Sequence, residues 1–136
     1  MSIQAYHTDR VVKLPAPLSN AVRSGNLLFV SGITPFDINR EVAIGDFPAQ
    51  MRQVMESIRI ILEDAGTSLE RVIKATIILT DIRDFESAFE IWREYFDEPY
   101  PALTTMEARL ARPQFMLEIE VIAEIGYDTR AGIFEL

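Results

Sequence analysis

The chain predicts an α+β fold, a mixed sheet with two helices on one face, and three observations carry that expectation. Two apolar stripes at helical spacing alternate with strand-like runs. The run VIKATIILT, from Val72 to Thr80, is rich in β-branched residues and too short for a typical helix. From Met116 to Ala123, apolar and polar residues alternate with period two, as side chains on the two faces of a strand do.

Each element can be justified in order. VRSGNLLFV, from Val22 to Val30, holds two short strand segments around Gly25 and Asn26, residues that accept the positive backbone angles of a hairpin turn. Phe47, Met51, Val54, Met55, Ile58, Ile61, Leu62 and Ala65 then form one apolar helical stripe. Asp46 is placed to cap that helix and Gly66 to end it. After the strand at 72–80 comes a polar break from Asp81 to Asp84. A second, aromatic stripe follows through Phe85, Ala88, Phe89, Trp92, Tyr95 and Phe96, with Asp84 as candidate cap and Pro99 and Pro101 as stops. Two further strands complete the order, within 101–110 and 116–125.

A chain of 136 residues with 49% apolar and 25% charged residues fits a single domain over 1–136, its core at about 15–125 and a tail at 126–136. Tyr127, Ile133 and Phe134 make that tail either a docking segment or a frayed end. The formal charge of -8 opposes nucleic-acid binding, which draws its affinity from clustered Lys and Arg. Cysteine is absent, which excludes disulfides, thiolate nucleophiles and cysteine-zinc sites and fits a reducing compartment. With no apolar signal core and no run near the roughly 18 residues of a spanning helix, the expectation is a cytoplasmic chain without membrane contact.

The strand pair near the C-terminus directs attention to function. Leu117, Ile119, Val121 and Ala123 point one way, while Met116, Glu118, Glu120 and Ile122 point the other. That second face is too apolar for open water and too acidic for a dry core, so a homo-oligomer interface holding small wet clefts is expected. A cleft lined by Leu103, Thr105 and Glu118 follows as a hypothesis. A carboxylate among apolar groups loses hydration and gains proton affinity, which suits a proton carrier; an interface salt bridge from Glu118 to Arg109 or Arg112 is the competing structural reading. Glu120 and Glu107 read as structural. His7, the single histidine, excludes a multi-histidine metal site and disfavours a Ser-His relay. Asp81, Asp84, Glu86 and Glu90 crowd a helix start, where the dipole favours negative charge, and follow no calcium-loop spacing. SGITP at 31–35 carries no nucleotide motif, although Ser31 and Gly32 lie where backbone N–H groups meet a ligand carboxylate or simply end a strand.

Several segments together resemble the RidA, or YjgF-like, family: PAPLSNAV, GNLLFVSG, the Gln50-containing first helix ending in EDAG, VIKATIILTDIRDFESAFEIWREYF, and PAL followed by EIEVIA. The likeness runs from about Pro15 to Ile125. It implies a chorismate-mutase-like subunit, a homotrimer with clefts between subunits, a metabolite-sized ligand, no bound cofactor and no metal. The family's activity, hydrolysis of enamines and imines to 2-oxo acids and ammonia, is implied as well. Glu118 matches the family acid that positions water or moves a proton, and Ser31 with Gly32 matches the wall after the hairpin. Leu103 stands where active deaminases place an Arg that pairs with the substrate carboxylate. Leu18 replaces an aromatic, Ile33 a frequent Gln, and Phe89 a frequent Asn, so the expected cleft of Leu18, Ser31, Gly32, Ile33, Phe89, Leu103 and Thr105 is more apolar than usual. RNA cleavage, also assigned to the family, conflicts with the charge of -8.

Overall fold

The computed structural model describes residues 3–126. Of the tail expected at 126–136, residues 127–136, with Tyr127, Ile133 and Phe134, lie outside the described residues. Six strands form one mixed sheet: β1 (Gln4–Tyr6), β2 (Ala21–Ser24), β3 (Leu27–Ile33), β4 (Val72–Leu79), β5 (Ala102–Glu107) and β6 (Leu117–Glu124). Their order across the sheet is β1-β2-β3-β6-β4-β5, with β4 and β5 parallel and every other pair antiparallel. The parallel pair is joined through helix α2 (Phe85–Tyr95), as a parallel connection requires a crossover. Helix α1 (Phe47–Ala65) links β3 to β4.

Local chemistry sets the element ends. Gly25 takes φ 59° in the hairpin turn, while Asn26 keeps an ordinary negative φ. Asp46 caps α1 by accepting from Ala49 N at 3.1 Å, and Gly66 ends it in the left-handed region at φ 99°. Asp84 precedes α2 but makes no side-chain capping bond, contrary to expectation. A 3-10 turn, Ile82–Asp84, enters the helix first, so the capping carboxylate is that of Asp81, which accepts from Arg83 N.

Both helices cover the same sheet face. Leu28, Val30, Ala75, Ile77, Leu79, Leu117, Ile119 and Val121 meet Met51, Val54, Met55, Ile58 and Leu62 of α1 and Ala88, Ile91 and Trp92 of α2 in one core. Burial of that apolar surface drives the assembly at about 25 cal/mol per Å². Among these side chains Gln50 is wholly buried. Its Nε2 donates to Ala43 O at 2.9 Å and Gln114 O at 3.0 Å, and its Oε1 accepts from Met116 N at 2.9 Å. One amide thereby fixes where β6 begins, two residues before Glu118.

Candidate active site

The uncovered sheet face is laid out in rows by the strand register. Phe29, Ile122, Lys74 and Ala102 form one row; Glu120, Thr76 and Thr104 the next; Glu118, Ile78 and Met106 the last. Phe29 and Met106 are 43% and 45% exposed, Ile78 and Ile122 are partly buried, and Lys74 Nζ donates to Thr104 Oγ1 at 2.7 Å. The face thus mixes exposed and half-buried apolar side chains with a lysine, two threonines and its two acids.

Glu118 is partly buried and forms no hydrogen bond or ion pair with any described residue. The competing salt bridge to Arg109 or Arg112 is therefore not made within the subunit. Loss of hydration, and secondarily the charge of Glu120, pushes the Glu118 carboxyl above its ordinary value. The register explains its seat. Between Val30 and Ile33 strand β3 has one residue too many for β6, a bulge spanning Ser31 and Gly32. Glu118 lies across Gly32, where a Cβ would overlap Oε2 and stand 2.9 Å from Cδ and 3.3 Å from Cγ. Gly32 keeps a negative φ, so its lack of a side chain serves this close approach rather than a turn.

Gly32 also lines a cavity of about 250 Å³ with Leu18, Ser31, Ile33 and the segment at 7–16, which includes His7 and Lys13. Ser31 braces this wall: its Oγ donates to Ser19 O at 2.6 Å and its N–H to Asn20 O at 3.0 Å. That N–H is consequently spent inside the fold and is not a donor to a ligand carboxylate. Leu18, 45% exposed, projects from the braced turn. The structure thus brings Leu18, Ser31, Gly32 and Ile33 together around this cavity; of these Gly32 touches Glu118, which is not among the lining residues, and Ile33 pairs with Ile119 on the helix-covered side.

Leu103 and Thr105 are elsewhere in the subunit. Leu103 pairs with Ala75 and Thr105 with Ile77, both on the helix-covered side, whereas Glu118 pairs with Ile78 on the open side. The expectation that one chain lines a single cleft with Leu103, Thr105 and Glu118 is corrected by this register, since parallel partners share a face and a shift of one residue reverses it. Phe89 also belongs to the helix layer, on α2, with its ring edge-on to Phe85 at 5.7 Å. The expected residues therefore fall in two separate places, one around Glu118 and Gly32, the other along β5 and α2. Sequence reasoning missed the roles of Gln50 and Gly32. The available signal for Gln50 was a lone amide on the apolar stripe of α1; for Gly32 none exists without the register.

The fold is thus an α+β domain with an unpaired, partly buried carboxylate set against Gly32, itself part of the wall of a small cavity. A family model described as Endoribonuclease L-PSP matches residues 10–125, and the chain belongs to that family, the YjgF/RidA/RutC group. A RutC family protein of Pyrococcus horikoshii is 42% identical over 117 residues, covering 85% of this chain and 93% of the relative. The 3-aminoacrylate deaminase RutC of Acinetobacter baylyi is 38% identical over 111 residues, covering 81% and 88%. Among solved structures, RidA from an Antarctic Psychrobacter is 36% identical with a TM-score of 0.84, covering 90% of this chain and 99% of that one. E. coli TdcF with bound serine is 29% identical with a TM-score of 0.82 over the same shares.

Proposed function

We propose that this protein hydrolyses an enamine or imine of altered specificity, larger or less charged than a small amino-acid-derived one, with Glu118 assisting water attack in a cleft between subunits of a homotrimer. The observation that carries the reading is the seat of Glu118: desolvated, unpaired, and laid over Gly32, a residue that also lines a cavity. A relative named 3-aminoacrylate deaminase supports enamine chemistry for the group. In the proposed reaction an enamine tautomerises to its imine. Water adds across the C=N bond, Glu118 taking a proton from the attacking oxygen and passing it to nitrogen; as the C–N bond of the resulting carbinolamine breaks, the same carboxylate carries the hydroxyl proton to the departing nitrogen, so both protons of water leave with ammonia. The net balance is imine plus water to carbonyl plus ammonia, with no cofactor.

The division of the expected residues between two half-sites supports a composite cleft. Phe89, Leu103 and Thr105 reach Glu118 only from a neighbouring copy, and exposed Phe29 and Met106 suit burial against one. Leu103 donates no hydrogen bond. A bidentate Arg-carboxylate contact is worth roughly 1.5 to 3 kcal/mol, so its absence costs a carboxylated substrate about ten- to a hundredfold. This disfavours 2-aminoacrylate itself. The same apolar substitutions favour a second reading, a non-enzymatic trimer that binds a small apolar molecule in those clefts.

Enamines generated by an amino-acid oxidase, timed with and without the protein, distinguish the two. Turnover lost in Glu118→Gln that remains folded and trimeric supports the hydrolase. Turnover unchanged by that substitution removes Glu118 from the mechanism, and saturable binding without turnover establishes the binder. A monomer in solution would refute the composite cleft.

A further inference from the structure

We propose that the cleft beyond the carboxyl ends of the parallel strands β4 and β5 is a binding site for a small dianion, a phosphoryl or dicarboxylate group, held by Arg109 and Arg112. This cleft, about 530 Å³, is lined by Thr80, which follows β4, by Glu107, Arg109 and Arg112 after β5, and by Phe115 ahead of β6. It is a different place from the cavity at Leu18 and Gly32, which shares none of these residues. Here the two parallel strands end together, and the chain leaving the ladder exposes the side chains of 107–115 to one opening.

The charge at this opening is what singles it out. In a chain of net charge -8, Arg10, Arg52, Arg59 and Arg83 all pair with carboxylates at 2.6 to 2.8 Å. Arg109 and Arg112, like Arg71 and Arg93, have no carboxylate partner among the described residues, but these two line one cleft. The acid lining that cleft, Glu107, is engaged elsewhere: its Oε1 accepts from Ile82 N at 2.9 Å. Arg112 is held in place, with its Cζ 5.7 Å from the Phe36 ring centroid, and Phe36 in turn meets Phe115 edge-on at 5.0 Å. Arg40 lies over the same ring at 5.9 Å and adds a third positive charge nearby. Like charges gathered at one opening repel one another, and a doubly charged oxyanion relieves that repulsion while using the forked donors of the Arg109 and Arg112 guanidinium groups.

Titration of the full chain with inorganic phosphate, succinate and acetate at low ionic strength, followed by backbone amide shifts, tests the site. Saturable shifts at 108–115 with phosphate or succinate, and a far weaker response to monoanionic acetate, are expected. Tighter phosphate binding assigns a phosphoryl ligand, and tighter succinate binding a dicarboxylate. Arg109→Gln and Arg112→Gln should each weaken binding about tenfold and the double variant should abolish it, with thermal melting unchanged, whereas Glu118→Gln should leave it intact. No saturable shift at 108–115, or binding indifferent to both arginines, would overturn the proposal. So would a double variant that dissociates the oligomer without affecting anion binding, since a neighbour's carboxylate would then be the partner of these cations.

Discussion

Replacing Gly32 with Ala isolates the seat of Glu118. A Cβ at this position overlaps the carboxylate oxygen Oε2 and stands 2.9 Å from Cδ, against an optimal carbon–carbon separation of about 3.5 to 4.0 Å. The carboxylate must therefore retreat by roughly 1 Å. Because the obstructing atoms are the far end of a flexible side chain, the cost to stability is small: an off-rotamer Glu118 costs about 0.5 to 1.5 kcal/mol. The gain from replacing Gly at a permitted φ, about 0.4 to 1 kcal/mol, offsets most of it. Function is expected to respond differently, since a misplacement of about 1 Å lowers rates about a hundredfold. The assay is oxidase-coupled enamine hydrolysis alongside thermal melting, run for Gly32→Ala, Glu118→Gln and the double variant. Expected are a melting temperature within a few degrees of wild type, a hundredfold slower reaction, and no further loss when Gly32→Ala is added to Glu118→Gln. Full activity in Gly32→Ala, or an equal loss in both backgrounds, would refute the link between this glycine and the acid.

Gln50→Leu leaves Ala43 O, Gln114 O and Met116 N without their buried partner and should lower unfolding free energy by about 2 to 4 kcal/mol in a urea titration, with a near-normal midpoint contradicting the bracing role. The raised proton affinity of Glu118 means the folded state binds that proton more tightly than the unfolded one, so its ionisation erodes stability as pH rises above the ordinary 4.5. Glu118→Gln should thus melt at or above wild type at pH 7, with the difference disappearing below about pH 4; a variant less stable at pH 7 would show that the carboxylate has a partner. Leu103→Arg should raise kcat/KM for a small carboxylated enamine about ten- to a hundredfold if β5 of a neighbour lines the cleft, and unchanged kinetics would place that strand outside it.

Much of the fold was legible in the order of residues because local periodicity and local stops encode it. The stripe from Phe47 to Ala65 between Asp46 and Gly66 could only be a capped amphipathic helix, and the alternation from Leu117 to Ala123 could only bury one side of a strand. The resemblance of EIEVIA and GNLLFVSG to family segments marked Glu118, Ser31 and Gly32, but spacing alone does not show that two of these touch. Only the sheet could decide that, because a bulge in β3 brings Gly32 beneath Glu118 and pairing of β4 with both β5 and β6 sends Leu103 and Glu118 to opposite faces. Which strands neighbour one another, and in what register, is a contest among distant partners over the whole core. Period-two patterning declares that a strand has two sides, while the tertiary structure alone determines which neighbour shares each side.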